Sequence, residues 1–113
     1  MGLSIPAEGF MVMPDEINNR GQVVGAAYSY TLNEYRPMLW ENGQTYDLND
    51  LIDPASKWSL LRAYHINNLG QILAFGIYGG QDYSVLLTPI PEPAAALVLL
   101  CIAGVRRCRF RIG

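Results

Sequence analysis

INNRGQVVG (residues 17–25) and INNLGQILA (residues 66–74) are two versions of one phrase, set 49 residues apart. Each has an apolar residue, two asparagines, a variable position, a glycine and a glutamine, then a β-branched or aliphatic run. Asparagine tolerates left-handed backbone and glycine takes a positive φ without steric cost, so Asn-Asn-x-Gly reads as a tight connection between two strands. The likeness continues downstream, where EYRPMLW (34–40) matches DYSVLLT (82–88) at an offset of 48. A repeat near this length belongs to propeller blades and related β arrays.

Working outward, QVVGAAYSY (22–30) has the small, β-branched and aromatic composition of a strand, TLNE (31–34) turns the chain, and YRPMLW (35–40) returns. Pro37 has no N–H to give a ladder, which predicts a strand with one free side. Asn42-Gly43 is a strong hairpin signal ahead of a fourth strand, QTYDL (44–48). NDLIDPASKW (49–58) connects the units, with Leu51 and Ile52 available as a plug. The second unit then runs LLRAYHI, NNLG, QILAFGIY, GGQD and YSVLLT (60–88), and its fourth strand is missing because PIPEP begins where that strand belongs. Helical periodicity is absent from the body. The expected fold is all-β: two antiparallel, propeller-blade-like meanders, unit one about 9–48 and unit two about 49–88, followed by a short hydrophobic C-terminal helix. Two blades are fewer than the three or so that repeat arrays usually need, which predicts either a piece of a longer array or a small two-sheet sandwich.

Half of the 113 residues are hydrophobic and lysine is nearly absent. The net charge of −2 hides an imbalance: residues 1–105 carry four basic and ten acidic side chains, or −6, and Arg106, Arg107, Arg109 and Arg111 add +4. An acidic body is unsuited to neutralising phosphates, so nucleic acid is not an expected partner. Cys101 and Cys108 stand in the tail without the further ligands a zinc site needs. No metal, cofactor or catalytic group is expected. His65 is the sole histidine, in a strand and without a nucleophile and orienting acid at triad spacing. Asp47, Asp50 and Asp53 lack the ligand count and loop glycine of a calcium site and read as a solvated connector. Tyr28, Tyr30 and Tyr35 cluster around one hairpin and are the candidate sugar-contacting surface, whereas Trp40 and Trp58 read as core.

The tail, TPIPEPAAALVLLCIAGVRRCRFRIG (88–113), joins a Pro-Glu-Pro kink, an apolar block (94–105) and the arginines. A full bilayer crossing takes about 20 residues, so this block is a marginal span. Arginines directly after an apolar block favour the cytoplasmic side, which places the body across the membrane. The N-terminal MGLSIPAEGF has neither a basic n-region nor an apolar run of a secretory signal, which predicts a longer exported parent.

The order of tail parts resembles the PEP-CTERM sorting signal, with Pro91, Glu92 and Pro93 as the motif, 94–105 as the membrane segment and Arg106, Arg107, Arg109 and Arg111 as the basic stop. The resemblance implies a region 89–113 handled by an exosortase-type membrane protease-transpeptidase, export, and surface display alongside exopolysaccharide, the chain being membrane-anchored in the cell envelope before processing. INNRGQVVG, LWENG (39–43) and DLNDLIDPASKWSL (47–60) resemble HAF-type extracellular repeats, which implies a β-propeller-like body over residues 1–88 and no catalytic residues. The expected function is therefore a non-enzymatic surface protein with a structural or polysaccharide-binding role. The alternatives are the C-terminal part of a surface hydrolase and a non-functional gene remnant.

Overall fold

A computed structural model describes residues 10–90 and 108–113. The first unit is a four-stranded antiparallel sheet in the order β1 (Phe10–Ile17), β2 (Val23–Ser29), β3 (Glu34–Glu41) and β4 (Gln44–Asp47). The second has the order β5 (Ser59–Ile66), β6 (Ile72–Tyr78), β7 (Gln81–Pro89) and β8 (Phe110–Ile112). Between the units lie two short 3-10 turns, Leu48–Asp50 and Pro54–Ser56. The all-β, two-meander expectation is correct at this level.

The repeated phrase forms the turn its residues dictate. Asn18 Oδ1 accepts the backbone N–H groups of Arg20 and Gln22, each at 3.0 Å, and Gly21 takes φ +77°. Asn67 Oδ1 likewise accepts from Leu69 and Gln71, with Gly70 at φ +82°. Asn42 and Gly43 both take positive φ in the two-residue loop between β3 and β4, as a twisted hairpin of this type requires. Pro37 is fully buried, and β4 ends opposite Met38, so at Pro37 strand β3 has a neighbour on one side only. At Gly25 the reason for glycine is a close approach: β1 bulges between Pro14 and Glu16, and a Cβ on Gly25 would lie 2.2 Å from the Met13 carbonyl oxygen.

Two readings are corrected. First, unit two has a fourth strand: β8, from the far C-terminus, pairs antiparallel with the end of β7, matching Leu87 with Ile112 and Pro89 with Phe110. Three residues separated from β7 by residues 90–109 give no local signal. Second, the offset between β3 and β7 is 47, not 48. The β2–β3 hairpin leaves four residues between Ser29 and Glu34, while β6–β7 leaves only Gly79 and Gly80 between Tyr78 and Gln81. Two lost residues turn 49 into 47, so Leu39 corresponds to Leu86 and Trp40 to Leu87; a one-residue error would exchange the faces. The strands of the two units span 10–47 and 59–89, with 110–112 added to the latter. The helix expected over 94–105 lies outside the described residues. Among the described residues no helix is long and apolar enough to cross a membrane.

The sheets dock face against face. Strand β5 lies across β1, β2 and β3. Val24 and Leu39, cross-strand neighbours on the first sheet, join Leu60, Ala63, Ile72 and Leu87 of the second in one buried cluster. Leu51 and Ile52 of the connector fill its rim, as a plug should. Phe110, 3% exposed, brings β8 into the same cluster. Val24 corresponds to Leu73, yet it packs against the face carrying Ile72 and Ala74. Alternate residues of a strand point to opposite faces, so opposite faces of equivalent sheets meet. The units are therefore stacked head to tail, as in a repeat array, rather than related by a two-fold axis.

Candidate functional site

Three groups of side chains stand out: the seam between the units, the aromatic hairpin tips and the tail contacts. The seam is built by equivalent positions. Asn18 Nδ2 donates to the Asn67 carbonyl (2.9 Å), and the Asn19 N–H donates to Asn68 Oδ1 (2.8 Å). Glu16 Oε1 accepts the Ile66 N–H and lies 3.0 Å from His65 Nδ1. Asp15 forms a two-pronged pair with Arg62, at 3.0 and 3.1 Å. His65 is an exposed strand residue whose ring meets Glu16, and its partner is a seam residue from the preceding unit. The paired asparagines do the turn chemistry expected of them, and Asn18 and Asn19 also bridge the units.

The aspartates of the connector act locally. Asp47 Oδ1 caps the first 3-10 turn through Asn49 N–H (2.9 Å), and Asp53 Oδ1 caps the second through Ala55 N–H (2.9 Å). Burial pushes the Asp47 carboxyl up, and the like charge of Asp50 adds to this, against the Asn49 N–H and the Arg36 guanidinium, which favour ionisation. Among the described residues no group of three or more His, Cys, Asp or Glu side chains is placed to hold a metal ion.

At the β2–β3 tip the three candidate tyrosines do come together. Tyr28 and Tyr35 are cross-strand partners with ring centroids 4.9 Å apart, and Tyr30 stands edge-on to Tyr28 at 5.5 Å. Tyr28 Oη donates to Asn33 Oδ1. Tyr30 is 62% and Tyr35 46% exposed, so aromatic surface remains open there. The equivalent β6–β7 tip carries a second aromatic group beyond the preferred tyrosine trio: Trp58 stacks on Tyr78 at 5.2 Å and meets Tyr83 edge-on at 5.8 Å. Tyr78 and Tyr83 are more than two-fifths exposed, and Trp58 is half-buried, packing against the main core cluster from its edge. Trp40 is core, at 3% exposure. The available signal was the tyrosine on each side of both hairpins; Trp58 lay hidden in the connector.

Of the tail residues, Arg109 and Arg111 belong to the body. Arg109 Nη1 contacts Glu41 Oε2 at 2.5 Å, its guanidinium lies over the Tyr46 ring, and its backbone N–H donates to the Leu51 carbonyl. Burial raises the Glu41 carboxyl, but hydrogen bonds from Arg109 and Gln22 and the Arg109 charge outweigh it, leaving the group below its usual range. Arg111 is an exposed residue of β8 opposite Thr88. The Ile90 N–H donates to the Arg109 carbonyl (2.9 Å), so residues 90 and 109 lie side by side in the body. Pro91, Glu92, Pro93, Arg106 and Arg107 lie outside the described residues. No protein-family model, curated protein or solved structure matches the chain.

Proposed function

We propose that the chain is a non-enzymatic repeat module of the bacterial cell surface, exported and sorted through its PEP-CTERM-like tail, with a structural or binding role in an exopolysaccharide matrix. The observation that carries the structural role is the use of polar side chains. Asp15, Glu16, Asn18, Asn19, Arg62 and His65 are committed to holding one unit against the next. The export part rests on the sequence order of Pro91-Glu92-Pro93, the apolar block and the arginines. Its partners are an exosortase-type enzyme and the membrane that the tail enters before processing. For the arginines to act as a cytoplasmic stop, β8 must leave β7, because Arg109 and Arg111 otherwise stay with the body. The sorting signal therefore acts on the chain with β8 released. The exposed faces of Tyr28, Tyr30 and Tyr35 support polysaccharide contact by stacking on the apolar faces of sugar rings.

Replacing Pro91, Glu92 and Pro93 by alanine in a host with an exosortase tests the sorting role: the variant is expected to stay unprocessed and membrane-held. Processing at the wild-type level would refute it. For the binding role, Tyr30→Ala with Tyr35→Ala should abolish retardation in gels containing the host's purified exopolysaccharide. Equal retardation of variant and wild type removes the tyrosines from the contact.

A further inference from the structure

The interface between the two units is directional, and the second unit carries the same outward face that the first one buries. Val24 and Leu39 are fully buried against unit two. Their equivalents, Leu73 and Leu86, are also cross-strand partners, but they point away from the interface and are 37% and 39% exposed. Phe75 and Ile77 continue this apolar face and are half-buried. The polar seam ends in the same way. Asn18 Nδ2 serves Gln22 within its own turn and Asn67 in the next. Asn67 Nδ2 serves Gln71 alone among the described residues, and both Asn67 and Asn68 are exposed.

The opposite end of the molecule carries the matching half. Unit two docks chiefly through its first strand, β5, which lies across β1, β2 and β3, with Ile72, Ala74 and Leu87 behind it in the same buried cluster. The equivalent of β5 in unit one is β1. Ile66 of β5 is 5% exposed within the interface, while its counterpart Ile17 is 59% exposed. The sheet face behind β1 is already buried, with Met38 and Trp40 at 3%. The open docking element at this end is therefore β1 with the Asn18–Gly21 turn.

We infer that the chain associates head to tail with a second copy of itself, β1 of one molecule lying across the Leu73–Leu86 face of the next. This face continues an interface that already exists within the molecule, and it needs no property of the tail. A contact between two different patches does not close at two subunits; it yields rings or open filaments.

Sedimentation velocity of the full chain over a wide concentration range tests this. The weight-average mass is expected to climb past that of a dimer, and a species that stays monomeric at every concentration overturns the inference. Leu73→Asp with Leu86→Asp blocks one patch, and Ile17→Asp blocks the other; each variant alone is expected to remain monomeric. Mixed in equal amounts, they retain one intact patch each and should form dimers and nothing larger. Wild-type association by either variant, or no dimer in the mixture, overturns the proposal. Far-UV circular dichroism and Tm of each variant identify loss of fold, and the wild-type series decides the matter without them.

Discussion

Asn18 and Asn67 occupy the same place in successive units, yet only Asn18 reaches across: its Nδ2 donates to the Asn67 carbonyl over 2.9 Å, and it is 9% exposed whereas Asn67 is open to solvent. Both side chains organise their own turns identically. Any difference between them is therefore the contribution of the seam.

That difference is measurable. Asn18→Ala removes two accepted and two donated hydrogen bonds at a buried site, and with a net value of about 1 kcal/mol per bond it is expected to cost about 2–4 kcal/mol. Asn67→Ala removes the same turn bonds at an exposed site and is expected to cost about 1 kcal/mol. Urea denaturation of the two variants gives the comparison. Equal losses would mean that the seam adds nothing beyond the turn.

Gly25 separates crowding from backbone freedom. A methyl group there meets the Met13 carbonyl oxygen at 2.2 Å, which only a backbone shift relieves. Gly25→Ala is expected to cost about 2–3 kcal/mol by overpacking. Gly21→Ala meets nothing within 4 Å and suffers only from its φ of +77°, for an expected loss of about 1 kcal/mol. The order of the two midpoints in denaturant checks this. Ala74 stands at the position of Gly25 in unit two, opposite Ala63; β5 repeats the bulge of β1 between Ala63 and His65 and adds one between Leu60 and Arg62.

The contrast between these sites shows what the sequence could carry. Turn chemistry is local: the Asn-Asn-x-Gly-Gln phrase and Asn42-Gly43 encode their loops without distant help, and the strands between them follow. The tyrosine trio was legible because its members flank one hairpin. The stacking direction was not legible, because it depends on which face of Val24 or Leu73 meets a neighbour. The tail was hardest to read. Phe110–Ile112 is three residues long, follows an apolar block and sits among arginines, so its composition points toward a membrane flank while its pairing is set by Leu87, Leu51 and Glu41, far away in the chain.

Asp47 is a charge held against the preference of its surroundings. Burial raises its carboxyl pKa, so ionisation opposes folding; the opposition is present above the folded-state value and fades as pH falls toward the ordinary value of 3.8 and below. Asp47→Asn keeps an oxygen for the Asn49 N–H and removes the charge. It is expected to raise Tm slightly at pH 7, with the gain shrinking as acid is added. A lower Tm at pH 7 would show that the Arg36 contact at 3.4 Å outweighs the cost of burial.

Glu41 behaves in the opposite sense and links pH to the last strand. Its carboxyl accepts from Arg109 at 2.5 Å and from Gln22 at 2.9 Å, and these bonds hold it below its ordinary value of 4.5 despite burial. A carboxylate favoured in this way supplies stability in full above that value and loses it as pH falls through the lower folded-state value. Glu41→Gln retains the acceptor geometry and loses the charge, with an expected cost of about 1 kcal/mol at neutral pH. The deficit should disappear below the folded-state value, where the wild type is protonated too. Because Arg109 directly precedes β8, the loss should concentrate there: amide exchange at Gly113, whose N–H donates to the Leu86 carbonyl of β7, is expected to accelerate several-fold while the amides of β2 keep their rates. Equal acceleration in β2 and β8 would show that Glu41 stabilises the whole molecule rather than the attachment of its final strand.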